Sequence, residues 1–283
     1  MKIINEVNEI RQIAKKIKRK DLSIGFVPTM GYLHDGHLSL VKAAKADNDI
    51  VVVSIFVNPT QFGPNEDLDS YPRNLEKDRK SLENLNVDYL FFPKVEQMYP
   101  DGYGTYVNVE SGLTNKLCGK SRPGHFKGVT TIVSKLFNIV SPDKAYFGQK
   151  DAQQVSVINR MVKDLNFDIE IMTVPIVREK DGLAMSSRNV NLSENERQDA
   201  LVLSKSLNKA KDLILLDNIK KSDIIKDEMK EILESVDSSR IDYIEIVDME
   251  SLESIDIVKG KILIALAVHI GKTRLIDNII MEA

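Results

Sequence analysis

The chain has 283 residues, of which 42% are hydrophobic and 29% charged, and its 42 acidic residues outnumber its 39 basic ones, for a net charge of −3. This length and composition predict a globular protein of about two domains. The acidic balance argues against general binding of nucleic acid, which depends on a basic surplus. The single cysteine, Cys118, cannot form an internal disulfide, and we interpret it as a packing residue rather than a catalytic thiol.

The sequence contains no stretch with the length of a membrane span. The longest apolar run, residues 50–57, has about eight residues, whereas a span needs about 20. The first residues lack the apolar region and the cleavage site of a secretory signal. We therefore expect a soluble, cytoplasmic protein with no membrane partner.

Helices and strands alternate along the first two thirds of the chain. Apolar residues at helical spacing predict an opening helix over 7–17, and a short apolar run predicts a buried strand at 23–28. The same pattern predicts helices over 38–46, 73–86, 126–140 and 152–165. It predicts further strands at 50–57, 87–92, 144–147 and 169–174. This alternation is typical of βαβ units in a parallel sheet, which is an α/β fold.

The pattern changes at two places. Glycines and prolines concentrate between 93 and 124, which predicts a long irregular or hairpin insertion. After about residue 187, Ser193 and Glu196 resemble a helix start. Helices are predicted from there to about 216 and over 222–236, and strands at 241–247, 262–268 and 275–281. The sequence therefore predicts a small α+β second domain, with the boundary between residues 176 and 188.

The turn after the first buried strand holds two of the four histidines. It runs from Met30 to His37, where an open parallel sheet presents its ligands. Backbone N–H groups at the following helix favour phosphate, and His34 and His37 could both donate hydrogen bonds to it. Gly36 would let the backbone approach closely. We favour a phosphate site, while an ordinary polar loop and a zinc site remain alternatives.

Three more loops at predicted strand ends carry polar residues. Residues 185–188 place two hydroxyls and a guanidinium in succession, which suits a triphosphate. Lys150 follows another predicted strand at the same edge. Asn58 and Gln61 could bind a polar, hydroxylated substrate without adding charge. Each loop alone is also compatible with ordinary turn chemistry.

Taken together, these segments resemble the pantothenate synthetase (pantoate–β-alanine ligase) family of the nucleotidylyltransferase superfamily. Five motifs carry the resemblance, at residues 27–37, 56–62, 122–126, 146–151 and 185–189. The resemblance covers essentially the whole chain. Gln149 stands where many relatives have glutamate, so no carboxylate role is assigned to that position.

The resemblance implies a Rossmann-like parallel sheet with helices on both faces in a domain of residues 1–178. It also implies a smaller C-terminal α+β lid domain, 179–283, and a homodimer. The substrates would be ATP, pantoate and β-alanine, with Mg²⁺ bound through ligands that the sequence does not identify. The pantoate carboxylate would attack the α-phosphorus of ATP to give pantoyl adenylate and pyrophosphate. The amine of β-alanine would then displace AMP and form pantothenate.

The resemblance also implies roles for individual residues. The ATP-binding set is Met30, Gly31, Tyr32, Leu33, His34, Asp35, Gly36, His37, Gly148, Gln149, Lys150, Asp151, Val177, Met185, Ser186, Ser187 and Arg188. Its catalytic members are His37, as proton donor, with His34, Lys150, Ser186, Ser187 and Arg188. Val177 would meet adenine through its backbone. Gln61 and Gln154 would hold pantoate, with Asn58 and Arg122 shaping that pocket. The rival interpretations are a transferase acting on a phosphorylated acceptor and a non-catalytic nucleotide-binding domain.

Overall fold

The computed structural model describes residues 1–64 and 66–283, which divide into two compact units. The N-terminal unit contains residues 1–110, 122–149 and 154–175. The C-terminal unit contains residues 111–121, 150–153 and 176–283. Two short segments that precede residue 176 therefore fold with the C-terminal part of the chain.

The elements of both units follow in chain order. The strands are β1 (Lys2–Ile4), β2 (Ile24–Thr29), β3 (Ile50–Ile55), β4 (Tyr89–Phe91), β5 (Lys144–Gly148), β6 (Glu170–Val174), β7 (Ser239–Asp248), β8 (Lys261–Ile270) and β9 (Thr273–Glu282). The α-helices are α1 (Val7–Lys18), α2 (Asp35–Asp47), α3 (Leu75–Asn84), α4 (Val95–Met98), α5 (Leu117–Ser121), α6 (His125–Val140), α7 (Ala152–Asp164), α8 (Glu194–Asp199), α9 (Leu201–Leu215) and α10 (Ser222–Leu233).

The N-terminal unit is built on a six-stranded parallel sheet with the order β1-β4-β3-β2-β5-β6. The chain runs from β2 to β3 on one side and returns to place β5 on the other side of β2. The carboxyl ends of β2 and β5 thus form the switch point of the sheet, where open α/β folds bind ligands. The predicted turn after β2 begins at this point.

Helices cover both faces of this sheet. On one face, the ring of Phe26 in β2 packs edge-on against Phe137 of α6, with 6.5 Å between centroids. On the other face, Val27 and Val53 share a buried cluster with Val41 of α2. Neighbouring residues of β2 therefore contact opposite layers, as strand geometry requires. The predicted Rossmann-like architecture with helices on both faces is confirmed.

The C-terminal unit contains a three-stranded antiparallel sheet with β8 in the centre, and the predicted α+β class of this part is confirmed. Alternate residues of β8 face opposite layers. Leu266 belongs to the cluster formed with Leu207 of α9 and Ile225 of α10. Leu263 belongs to a second cluster, which includes Leu117 of α5. Because α5 covers one face of β8, the segment 111–121 is part of this unit.

Three details differ from the sequence prediction. The three-residue strand β1 was missed, because it is too short to display an alternating pattern. The segment 93–124 is largely irregular, which is one of the two predicted alternatives, but it also contains the short helices α4 and α5. The long helix predicted from Ser193 is divided into α8 and α9 at Ala200. The predicted start is correct, since the Ser193 hydroxyl accepts the N–H of Glu196 at 3.3 Å.

Candidate active site

The turn after β2 has an unusual backbone that a buried carboxylate holds in place. Gly31 and Tyr32 both have positive φ angles, of 84° and 53°. The carboxylate of Asp78, on α3, accepts the N–H of Tyr32 at 2.8 Å and the N–H of Leu33 at 2.7 Å. A Cβ at Gly31 would lie 2.9 Å from Ile55 Cγ2 and 3.2 Å from Asp78 Oδ2. The position therefore requires glycine for both conformation and space.

Asp78 is only 2% exposed. Burial raises the pKa of Asp78 above its ordinary value, although the hydrogen bonds from Leu33 and Tyr32 act in the opposite direction. Both oxygens are used by the backbone of the turn. We assign Asp78 a structural role, which is to hold the entry of the turn against α3.

We predict that Asp78→Asn destabilises the protein. The amide nitrogen cannot accept a hydrogen bond, so one buried N–H of the turn would be left without a partner. Urea unfolding should show a loss of about 1–3 kcal/mol. Glu83→Gln, at an exposed position of the same helix, is the matched control and should have an effect below about 0.5 kcal/mol. Equal stability of the two variants would contradict this role of Asp78.

The two histidines of the turn lie at the N-terminus of α2, with ring centroids 4.1 Å apart. Nδ1 of His34 accepts the N–H of Gly36 at 3.2 Å, and Nδ1 of His37 accepts the N–H of His34 at 3.4 Å. A neutral ring that accepts at Nδ1 carries its hydrogen on Nε2. Both rings are therefore oriented as Nε2 donors at a helix N-terminus, where N–H groups favour an anion.

Gln61 connects this turn to the loop that follows β3. It ends a 3₁₀ turn, Pro59–Gln61, and its Nε2 lies 3.0 Å from Sδ of Met30. Its Oε1 accepts a hydrogen bond of 3.1 Å from Nδ2 of Asn58. Asn58 is buried and also bonds to Gly128, Tyr99 and Thr60. Because its amide is engaged by protein groups on both sides, we interpret Asn58 as a residue that orients Gln61.

Arg122 also supports the Gln61 loop. Its guanidinium binds Glu66 in a bidentate manner, with Nη2–Oε2 at 2.6 Å and Nε–Oε1 at 2.8 Å. Nη1 of Arg122 lies 3.0 Å from Nε2 of His125, and Nδ1 of His125 lies 2.9 Å from the carbonyl oxygen of Gln61. Since Arg122 can only donate, His125 accepts at Nε2 and donates from Nδ1 to Gln61.

Glu66 is ionised in this arrangement. Burial acts to raise the pKa of Glu66, but the hydrogen bonds and charge of Arg122 outweigh it and hold the pKa below the ordinary value. A carboxyl group with a lowered folded pKa stabilises the fold above its unfolded pKa, and that stabilisation disappears as the pH falls through the folded value. The ion pair therefore contributes at neutral pH.

We predict that Glu66→Gln lowers the free energy of unfolding at pH 7 by about 1–3 kcal/mol, because a charge-assisted pair is lost. The difference from the parent protein should narrow as the pH falls below about 4.5, because Glu66 is first protonated in the unfolded chain and then, at still lower pH, in the folded protein. Denaturation at several pH values measures both quantities. Glu96→Gln, at an exposed position, should be nearly neutral at every pH. A difference that stays constant down to pH 3 would exclude the ion pair as the cause.

The remaining predicted strand-end residues of the N-terminal unit lie on β5 and α7. Gly148 ends β5, and Gln149 follows it at the switch point of the sheet. A Cβ at Gly148 would meet no atom within 4 Å, so this end of the strand is open. Gln154 is half-buried on α7.

In the C-terminal unit, the segment from Val177 to Met185 forms a hairpin. The carbonyl oxygen of Val177 accepts the N–H of Met185 at 3.0 Å. Arg178 fixes the hairpin to β9 by a bidentate pair with Asp277, with distances of 2.6 and 3.0 Å. The hydroxyl of Ser186 accepts the N–H of Arg188 at 3.3 Å and starts a 3₁₀ turn, Ser187–Asn191.

The same unit holds Lys150 and Asp151. The carbonyl oxygen of Lys150 accepts a 2.9 Å hydrogen bond from Asn278 of β9, next to Asp277. The backbone of the lysine turn and the Arg178 hairpin are thus both anchored on β9. Asp151 is exposed.

Three supporting residues were not predicted from the sequence. Asp78 carries a signal in retrospect, since it is the one carboxylate on the apolar stripe that includes Leu82 and Leu85. His125 lies inside the motif at 122–126, but its bond to the Gln61 backbone required the fold. Glu66 has no distinguishing sequence pattern, because its partner is 56 residues away.

Two other kinds of feature have no candidate in the described part of the chain. Among residues 1–64 and 66–283, no group of three or more His, Cys, Asp or Glu side chains is arranged to hold a metal ion. Within the same residues, no helix combines the length and the apolar character needed to cross a membrane.

Comparison with known proteins gives matches over the full length. The model of the pantoate-beta-alanine ligase family matches residues 2–280. Pantothenate synthetase of Thermosipho africanus is 59% identical over 281 residues, which are 99% of this chain and 100% of that protein. The corresponding protein of Caldicellulosiruptor bescii is 58% identical over 283 residues, 100% of both chains.

Comparison with solved structures gives the same family. The crystal structure of pantothenate synthetase from Thermus thermophilus has a TM-score of 0.93 and 45% identity, and the match covers 99% of both chains. Pantoate-beta-alanine ligase from Francisella tularensis, complexed with beta-gamma ATP and beta-alanine, has a TM-score of 0.81 and 38% identity, with coverage of 99% of this chain and 97% of that one.

A parallel sheet with an imidazole-bearing turn at its switch point defines an α/β protein of the nucleotide-binding type. The full-length matches make the assignment specific. The chain belongs to the pantoate–β-alanine ligase family, and the resemblance carried by the five motifs is confirmed.

Proposed function

We propose that this chain condenses (R)-pantoate with β-alanine in an ATP-dependent reaction that passes through pantoyl adenylate and releases pyrophosphate and AMP. The observation that carries the proposal is the 3.0 Å contact between Gln61 Nε2 and Met30 Sδ. It joins the amide proposed to hold pantoate to the turn proposed to hold ATP. The bound beta-gamma ATP and beta-alanine of the Francisella tularensis ligase support the same choice of substrates.

The chemistry requires positioning and charge stabilisation rather than an enzyme nucleophile. The substrate carboxylate is itself the nucleophile, so the protein must hold it in line with the α-phosphorus. The Nε2 donors of His34 and His37, at the N-terminus of α2, suit the negative charge that develops on the phosphate oxygens. Gln61 and Gln154 would fix pantoate by neutral hydrogen bonds.

Residues of the C-terminal unit are also proposed to bind ATP. Lys150 would bind the phosphates, with Ser186, Ser187 and Arg188 as further donors to the triphosphate. The backbone of Lys150 is anchored on β9, and the Arg178 hairpin that precedes Ser186 is anchored on the same strand, which supports this role because it fixes the chain from which these side chains extend.

Mg²⁺ belongs to the proposal as the ion carried by ATP. When bound, it would neutralise charge on the phosphates that leave. Mg²⁺ in such sites keeps several waters and takes most of its remaining ligands from the substrate, so the proposal does not require a cluster of protein carboxylates.

A homodimer, a cytoplasmic location and a lid role for the C-terminal domain are proposed on the resemblance alone. Sedimentation equilibrium of the full chain measures the first of these, and a monomer at micromolar concentration would contradict it.

The decisive test of function measures pyrophosphate. With ATP, Mg²⁺ and pantoate, we expect one equivalent of pyrophosphate per active site. Adding β-alanine should start continuous turnover, with formation of AMP and pantothenate. Failure to release pyrophosphate with pantoate, together with activity on a phosphorylated acceptor, would support a nucleotidyl transferase instead.

We predict that His37→Ala and Lys150→Ala slow formation of the adenylate by about 10²–10³-fold, because each removes a donor aimed at developing charge. Binding of pantoate should change far less. Single-turnover kinetics and a direct measurement of the pantoate Kd separate the two effects. Lys163→Ala, at an exposed position of α7, is the control for Lys150. An unchanged rate with a raised pantoate Kd would contradict these roles.

A further inference from the structure

The side-chain amide of Gln61 has a defined polarity, which is set by a carbonyl of α6. The carbonyl oxygen of Gly128 can only accept, so the Asn58 atom that lies 3.1 Å from it must be Nδ2. The same Nδ2 donates to Oε1 of Gln61 at 3.1 Å. Nε2 of Gln61 therefore points away from Asn58 and toward Met30. The carbonyl of Gly128 thus determines the orientation of the side-chain amides of both Asn58 and Gln61.

The hydroxyl of Tyr99 supports the same orientation from the other side of Asn58. It donates to Asn58 Oδ1 at 2.7 Å, and the hydroxyl of Thr60 donates to that oxygen at 3.0 Å. Burial raises the pKa of Tyr99 to about 12, so this donor keeps its proton at physiological pH. Asn58 is 1% exposed, so bulk water does not replace a lost donor.

Gly128 makes the approach of α6 possible. A Cβ at this position would overlap the carbonyl oxygen of Thr60 and would lie 2.6 Å from both the nitrogen and the Cα of Gln61. Those atoms belong to the backbone of the 3₁₀ turn, so they cannot move without displacing Gln61. Absence of a side chain is therefore the condition for the contact between the Gly128 carbonyl and Asn58.

We propose that Tyr99 and Gly128 are positioning residues, which make Gln61 present an N–H donor and not a carbonyl oxygen to the acid substrate. The inference rests on the proposed function, in which Gln61 holds pantoate. A carboxylate can only accept hydrogen bonds, so an N–H matches it and a reversed amide would repel it. The hydrogen bonds that link Gly128, Asn58 and Gln61, here called the chain of amides, therefore select a substrate with an anionic acceptor, although the Gln61 amide itself is neutral.

Tyr99→Phe tests the proposal with a minimal change. The ring contacts with Phe56 and Tyr103, at 6.2 and 5.0 Å between centroids, are retained, and only the hydroxyl is lost. Loss of one neutral hydrogen bond should raise the KM for pantoate about 3–10-fold, while the KM for ATP changes less than about twofold. Tyr103→Phe removes a hydroxyl from the same aromatic cluster but outside the chain of amides, and both constants should stay within about twofold.

Asn58→Asp is the second variant, because it keeps the shape of the side chain but cannot donate to Gln61 or Gly128. We expect its KM for pantoate to rise more than that of Tyr99→Phe, by at least about tenfold. Gly128→Ala should have a similar effect if circular dichroism shows that it folds. The proposal is overturned if Tyr99→Phe and Asn58→Asp retain the parental KM for pantoate, or if the constants for pantoate and ATP rise together. The parent protein is assayed first, and failure to release pyrophosphate with pantoate would overturn the proposed function itself.

Discussion

Two backbone N–H groups must find partners where the chain leaves the central strand β2, and the carboxylate of Asp78 accepts both. The turn depends on this interaction, because Gly31 and Tyr32 adopt left-handed conformations that a free loop would seldom maintain. The direction of this turn also determines where α2 begins. The helix start then decides where the rings of His34 and His37 lie. A buried carboxylate with both oxygens bonded to the backbone thus underlies the geometry of the proposed phosphate site.

The loop after β3 follows a similar logic, with neutral groups in place of a charge. The backbone of Gln61 is held by His125, and its side chain by Asn58. The guanidinium of Arg122 is paired with Glu66 and does not contribute an uncompensated charge. The loop therefore offers an uncharged amide beside a guanidinium whose charge is compensated. A neutral amide suits a carboxylate that must remain nucleophilic, since a tightly bound cation would reduce its reactivity.

The sequence predicted the features that depend on local pattern. The buried strand β3, the helix α6 and the capping by Ser193 all follow from periodicity or from a defined cap motif. The polar residues after β2 and β3 also followed, because parallel strands bring their carboxyl ends to one edge. Residues 185–188 instead follow a hairpin of the C-terminal unit and not a strand of the parallel sheet. What could not be predicted depends on contacts between distant residues. Asp78 bonds to residues 46 and 45 positions away, and β1 becomes a strand only through pairing with β4.

The interleaving of the two units has a consequence for folding during synthesis. The chain passes from one unit to the other at residues 110–111, 121–122, 149–150, 153–154 and 175–176. Leu117 leaves the ribosome long before Leu263 of β8, which belongs to the same buried cluster. During synthesis, Leu117 therefore lacks its packing partner in β8 until nearly the whole protein has been made. A fragment that begins after residue 178 would lack Leu117 and Ala152 of its own core, so separation of the two units at a single point would leave the cluster around Leu263 incomplete.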